Sequence, residues 1–207
     1  MNSEHVPFEF SQANVLNSKT PIRIFVIVMA EVHIIGQIIS ASNFPEKSLF
    51  CKWGISAGKE NCSAWRLLSG PSEGQTQVDN PSFGEKAYFC HPFDLHFATK
   101  GIQGWPKFYF QVWHHDWLGR NELFGYGFCH VPSTAGSHEL EVVTWRPCGS
   151  FSEQFKSQLV GGAAHLCNLD LVFNQQNRYM LQTESMGKLH LICNVITRNF
   201  DKFGVQM

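Results

Sequence analysis

Apolar and aromatic residues recur at every second position in several stretches of the chain. The clearest stretch is residues 107–113, in which Phe108, Phe110 and Val112 alternate with other residues. Successive side chains of a β-strand point to opposite faces, so this pattern gives a strand one apolar face that must be buried. The pattern therefore favours packed β-sheet over helix.

Gly, Pro, Asn and Ser clusters separate these runs, as is typical of turns between strands. Strand patterning begins near residue 30, and further strands are predicted at residues 50–55, 64–68, 75–78, 89–98, 107–113, 123–131, 139–145 and 188–197. Short strands at a spacing of about ten residues predict an all-β fold, a two-sheet antiparallel sandwich. One helix is expected at residues 152–160, with Ser152 as its N-cap.

The chain of 207 residues has room for one domain with a complete hydrophobic core. Residues 1–28 differ from the rest because Asn, Ser and Gln are frequent between Asn2 and Ser18 and no clear period runs through the stretch. We expect them to be a disordered or dispensable extension, with Met29 as a second translation start and residues 29–207 as the domain. The alternative is that residues 22–28 form a genuine N-terminal strand.

Composition excludes several classes of protein. Sixteen basic and seventeen acidic residues give a net charge of −1, without the basic excess of a nucleic-acid binder. The seven cysteines are scattered without short paired spacings, which favours reduced thiols in a cytosolic protein over a disulfide framework. The apolar run at residues 22–30 is much shorter than the ~20 residues that a membrane helix needs.

No stretch of the sequence carries a recognisable catalytic or cofactor motif. Gly161 and Gly162 are the only adjacent glycines, and no phosphate-binding loop follows a predicted strand. Neighbouring residues such as His114 and His115 point to opposite faces of a strand, so they cannot readily chelate one ion. We therefore predict a protein that is not an enzyme and uses neither metal nor cofactor.

Several segments resemble the C2 domain family. They are the spacing of Ile34, Gly36, Ile38, Ala41 and Phe44, then residues 49–53, 75–81 and 93–97, and finally Val112, Asp116, Asn121, Glu122 and Gly125. In a calcium-binding C2 domain the last of these segments supplies clustered carboxylates. Calcium takes 6–8 oxygen ligands.

The calcium loop of that family is degenerate in this sequence. His114 stands where the first acid is expected, and Asp116, Asn121 and Glu122 are the remaining polar positions. The early loop at residues 42–48 adds only Glu46. The resemblance therefore implies the fold without the calcium site.

A more specific resemblance is to the B9 domain family, and it extends from Met29 to the end of the chain. It is carried by residues 29–37, 48–55, 74–78, 91–105, 125–132 and 198–201, most specifically by 95–101 and 103–106. The resemblance implies a component of the Meckel-syndrome, tectonic-like complex at the ciliary transition zone, near the basal body. Its partners would be other B9 domain proteins and members of that complex, and it would support primary cilium assembly and the ciliary membrane barrier.

Protein binding is the leading functional hypothesis, in the cytoplasm, at the cytoskeleton and basal body. The chain has four tryptophans that could serve as interface anchors: Trp105, Trp113, Trp117 and Trp145. We expect two of these four to lie in the core. Trp105 and Trp117, with the basic Lys100 and Arg120, are the partner-binding candidates. One alternative is a peripheral phospholipid binder that does not depend on calcium and contacts the membrane weakly through Lys100, Lys107 and Arg120. The other is a hydrolase, which would need a nucleophile and a base that converge in space.

Overall fold

The computed structural model describes residues 29–58, 64–148, 165–173 and 180–204. These residues form nine strands and one helical turn, followed by a 3-10 turn at Asp201–Phe203. In chain order the elements are β1 (Ala30–Ser42), β2 (Leu49–Ser56), β3 (Trp65–Ser69), β4 (Glu73–Gln75), β5 (Ala87–Thr99), β6 (Lys107–His115), β7 (Asn121–His130), β8 (Gly136–Pro147), α1 (Asp170–Phe173) and β9 (Thr183–Arg198).

All neighbouring strands pair antiparallel, in the order β3-β5-β1-β9-β8-β7-β6-β2-β4. The continuity is weakest between β7 and β8, which share the single residue pair Tyr126 and Trp145. The sheet folds over at this point, so that strands β3, β5, β1, β9 and β8 form one layer and β7, β6, β2 and β4 form the other. This is the antiparallel β-sandwich that the sequence predicted.

The core lies between the two layers and is filled largely by aromatic rings. Phe108 and Phe110 of β6 are fully buried. The ring of Phe108 lies 5.0 Å from that of Phe93 on β5, in the opposite layer. Trp53 of β2 lies 5.8 Å from the same Phe93. These ring contacts join the layers at spacings typical of favourable aromatic pairs.

Two glycines of β7 allow the close approach of β8. A Cβ atom on Gly125 would meet the side chain of Thr144 at 3.0 Å, and one on Gly127 would meet Val142 at 2.9 Å. Larger residues at these two positions would therefore collide with β8, whereas the glycines do not. They allow the turn of the sheet between the layers.

The fourth predicted strand was placed too late. The structure has it at Glu73–Gln75, and residues 76–78 leave the regular ladder. The reason is local, because the Thr76 hydroxyl oxygen accepts the Cys51 backbone N–H at 2.9 Å. Thr76 also donates its own N–H to the Cys51 carbonyl, so Thr76 alone attaches residues 76–78 to Cys51 of β2.

Two expectations fall outside the described residues, namely the helix at 152–160 and the extension at 1–28. The helical turn that the structure does describe, α1, buries Val172 against Tyr126 and Trp145. Among the described residues, no helix is long and apolar enough to cross a membrane.

Candidate functional site

The loop between β6 and β7 is a tight turn that is closed by its own side chains. The Asp116 carboxylate accepts the Trp117 N–H at 2.6 Å through one oxygen and the Arg120 guanidinium at 2.8 Å through the other. The Gly119 N–H donates to the Asp116 carbonyl, and Gly119 has a φ of 80°, a conformation that favours glycine. The turn is therefore fixed by both backbone and side-chain contacts.

Three residues of the degenerate calcium loop, His114, Asp116 and Asn121, already make contacts within the protein, and the fourth, Glu122, stands opposite His114 in the strand register. The Arg120 hydrogen bond holds the pKa of Asp116 below its usual range, so the carboxylate is ionised but already paired. His114 contacts the Lys47 carbonyl through Nδ1, and Asn121 contacts His115 at 2.8 Å. Calcium would need 6–8 oxygens that converge on one point. In the described part of the chain, Asp116 belongs to no group of three or more His, Cys, Asp or Glu ligands that converge on one point, and its carboxylate is paired with the Arg120 guanidinium.

Three loops lie together at this end of the sandwich: residues 43–48, 76–86 and 116–120. The first and third are joined by the His115 N–H, which donates to the Ser48 carbonyl at 2.8 Å. The first and second are joined by Leu49 and Asp79, whose backbones exchange hydrogen bonds of 3.0 and 2.9 Å. The three loops thus form one continuous end, here called the tip.

The tip exposes large apolar side chains. Trp117 is 88% exposed and Leu118 is 55% exposed, on the closed turn. Phe83, in the neighbouring loop, is 94% exposed. We call these three residues the tip surface. Trp117 was a candidate from the sequence, whereas Phe83 was missed, although an aromatic residue inside the polar turn 79–85 could have drawn notice.

The charges of the three tip loops nearly cancel. They comprise four acids, Glu46, Asp79, Glu85 and Asp116, and three bases, Lys47, Lys86 and Arg120. Three positive minus four negative charges give −1, and one base, Arg120, is already paired with Asp116. The tip therefore offers little attraction to an anionic surface.

The other two candidates, Lys100 and Trp105, lie at the opposite end of β6. This nine-residue strand separates them from the tip by about 26 Å at the usual rise per residue. Trp105 is half-buried and donates its indole N–H to the Val131 carbonyl at 2.8 Å. Lys100 is exposed beside it. The four predicted residues therefore belong to two separate surfaces.

The tryptophans divide differently from the expectation that two would be buried. Only Trp145 of the four is buried, while Trp105 and Trp113 are half-buried. Trp105 packs edge-on against Trp65, with ring centroids 4.9 Å apart. Its role in this structure is to close the core at that end. Trp117 is the one that projects into solvent.

A group of potential ligands that the sequence interpretation overlooked lies on the outer face of the five-stranded layer. It consists of Glu31 and His33 on β1 and His96 on β5, with one ligand atom of each within 4.8 Å of the others. The sequence signal was the spacing of Glu31 and His33, which places both on one strand face. The partner strand could not be identified from the spacing.

The buried thiols of the described residues are poorly suited to nucleophilic chemistry. Burial raises the pKa of the buried Cys193 to about 11 and also that of the buried Cys51, and the half-buried Cys129 has its pKa raised to about 12 in the same way. A catalytic cysteine needs the opposite shift, because the thiolate is the nucleophile.

Comparison with known proteins places this chain among close relatives. The model of the family described as "Ciliary basal body-associated, B9 protein" matches residues 32–196. The chain is 56% identical over 178 residues to B9 domain-containing protein 2 of Xenopus laevis, covering 86% of this chain and 99% of that protein. It is 42% identical to the Drosophila melanogaster protein of the same name, with the same coverage.

More distant similarities follow. B9 domain-containing protein 1 of Xenopus laevis is 29% identical, covering 84% of this chain and 87% of that one. Among solved structures, a C2 domain of a plant Extended Synaptotagmin 1 aligns with a TM-score of 0.40 and 14% identity, over 82% of this chain and 94% of that chain.

Proposed function

This chain belongs to the B9 family of ciliary basal body-associated proteins, and we propose that it is a non-catalytic component of the ciliary transition zone that binds a second B9 domain protein through its tip surface. In this proposal the chain works inside the tectonic-like complex. It contributes to primary cilium assembly and to the membrane diffusion barrier. It resides in the cytoplasm and at the cytoskeleton of the basal body.

The family supports the ciliary role and the choice of partner. Two kinds of B9 domain protein, numbered 1 and 2, are similar to this chain at 29% and 56% identity. A family that contains distinct members of similar size offers a natural set of partners for one another. The raised thiol pKa values and the lack of catalytic motifs support a binding role over a hydrolase.

The observation that carries the proposal is the exposure of Trp117 on a fixed turn. The Trp117 side chain is 88% exposed and presents apolar surface to the solvent. Its backbone is nevertheless held in place by the hydrogen bonds that Asp116 accepts from Trp117 and Arg120. Tryptophan is enriched at the energetic centres of protein interfaces, and a pre-ordered anchor loses little entropy on binding. Leu118 and Phe83 are further exposed apolar side chains on the loops of the tip.

The phospholipid alternative is weaker at this end of the molecule. Each basic side chain near an anionic membrane contributes about 1 kcal/mol, and salt screens that attraction. The tip loops carry a net charge of −1. Lys100 and Lys107, the other basic candidates, lie at the far end of β6. Two of the three basic candidates are therefore separated from the exposed aromatic residues, and the third, Arg120, is paired with Asp116.

Purified proteins can test the proposal. The full chain is titrated against a B9 domain-containing protein 1 counterpart, and the affinity of Trp117→Ala is compared with that of wild type. Loss of an interface hot spot costs about 2 kcal/mol or more, which is at least about 30-fold in Kd. Phe83→Ala is expected to weaken binding by a smaller factor.

Ile102→Ala is the matched control, because Ile102 is also exposed, at 49%, but lies at the opposite end of β6. It should bind the counterpart with wild-type affinity. Sedimentation with phosphatidylserine vesicles gives the second arm. Vesicle binding that is lost in Lys100→Glu with Lys107→Glu, together with unchanged protein affinity in Trp117→Ala, would establish the lipid alternative instead.

A further inference from the structure

The outer face of the five-stranded layer brings two histidines and a carboxylate together across two strands. His33 on β1 stands directly opposite His96 on β5 in the strand register. Glu31 is two residues before His33 and therefore shares its face. The intervening residue Val32 is fully buried, which confirms that the three side chains point away from the core.

Their donor atoms lie close to one another. The carboxylate of Glu31 is 3.5 Å from Nε2 of His96, and the rings of His33 and His96 stack with centroids 3.8 Å apart. The Nε2 atom of His96 is out of contact with solvent and makes no hydrogen bond, and its contact with the Glu31 carboxylate is the long ion pair of 3.5 Å. A buried ring nitrogen without a hydrogen bond is costly, and an ion bound between it and the carboxylate would satisfy it.

We propose that Glu31, His33 and His96 form a binding site for one divalent transition-metal ion of the zinc type. Imidazole nitrogen and carboxylate oxygen are donors that zinc accepts, at about 2.0–2.2 Å. Two ligand atoms at that distance and at a tetrahedral angle are roughly 3.3 Å apart. The Glu31 to His96 separation already fits. A turn of the nearly parallel His33 ring would bring its nitrogen towards the same point.

The surroundings suit a cation that arrives from solvent. All three side chains are partly exposed, so the ion has a path to them. Arg198 on β9 approaches Glu31 at 3.7 Å with a side chain that is 70% exposed, so a bound cation would displace this guanidinium into solvent. Three protein ligands leave a fourth position for water or for a donor from a partner. The bound ion would clip β1 to β5 near the first residues of the domain.

Zinc chloride is the probe for this site. Titration of the full chain in competition with a chromophoric chelator should give one ion per chain. Loss of residues that only support a metal's ligands weakens binding about 10–100-fold, so loss of a ligand should cost at least about 100-fold. We expect this loss in His33→Ala, in His96→Ala and in Glu31→Gln. Zinc should also raise the melting temperature of wild type but not of Glu31→Gln.

His190→Ala is the matched control. His190 lies on the outer face of β9 and has a carboxylate neighbour, Glu141, at 4.0 Å, so it represents a single histidine with one acid. Its zinc affinity should equal that of wild type. If His96→Ala does not fold, the zinc affinity of His33→Gln provides the test, because His33 is only half-buried and its replacement should leave the fold intact.

Two outcomes would overturn the proposal. One is zinc binding of wild-type strength in both His33→Ala and Glu31→Gln. The other is binding that disappears when the exposed Cys90 and Cys167 are replaced by Ser, which would place the ion on surface thiols.

Discussion

Replacement of Phe108 by alanine tests the packing between the two layers. Phe108 is fully buried and contacts Phe93 of the opposite layer, with ring centroids 5.0 Å apart. It also lies 6.3 Å from Trp53 and 5.9 Å from Phe110, so its ring has aromatic neighbours in both layers. Removal of the ring leaves a cavity among rigid neighbours, which cannot collapse easily.

A buried Phe→Ala change costs about 3–5 kcal/mol, and we expect about 4 kcal/mol at this central position. For a domain of this size, each kcal/mol lowers the melting temperature by about 2–4 °C, so the expected shift is about 8–16 °C. The same substitution at Phe83 is the internal comparison, because that side chain is 94% exposed. Phe83→Ala should change the free energy of unfolding by no more than about 0.5 kcal/mol.

Equilibrium unfolding in urea measures both variants against wild type. The chain should unfold in one transition with similar m values, and the midpoint of Phe108→Ala should fall well below the other two. A loss of less than about 1 kcal/mol at Phe108 would mean that the two layers do not pack through this ring. A loss at Phe83 equal to that at Phe108 would also refute the assignment of inside and outside.

Three further predictions concern calcium, the first residues and the thiols. Millimolar calcium should leave the melting temperature unchanged, because the Asp116 carboxylate is held by Arg120; a rise of several degrees would refute this. We propose that residues 1–28 are dispensable, since the family match begins at residue 32 and β1 at Ala30, so their deletion should alter neither melting temperature nor partner binding. At pH 8 a thiol reagent should label the exposed Cys90 and leave Cys193 of the folded chain unlabelled, because Cys193 is buried and burial raises its pKa to about 11; mass spectrometry of peptides would show the opposite pattern if the burial is misplaced.

The inward faces of the long strands could be predicted from the sequence because they follow directly from chain chemistry. Phe108, Phe110 and Val112 alternate in the sequence and are all fully buried in the structure. An antiparallel sandwich buries one face of each strand, so the alternation of apolar residues at every second position predicts the fold class. The end of β4 could not be found in this way, because a side-chain hydrogen bond to Thr76 replaces the regular ladder.

The candidate site was only partly predictable because it depends on which strands become neighbours. Trp105 and Trp117 look alike in the sequence, yet one donates its indole N–H to Val131 while the other projects into solvent. His33 and His96 are far apart in the chain, and only the register of β1 with β5 brings them together. Long-range strand register is not encoded in local spacing.

The most direct test of the proposed function is the retention of this protein at the transition zone of ciliated cells. Three tagged full-length proteins would each replace the resident B9 relative at matched expression. They are wild type, the double variant Trp117→Ala with Phe83→Ala, and the control Ile102→Ala. The fluorescence at the base of the cilium would then be measured. If the tip surface binds the partner, the double variant should be lost from the transition zone, while Ile102→Ala should keep wild-type intensity. Full retention of the double variant, with undiminished capture of the sister B9 protein, would contradict the claim that the tip binds the partner.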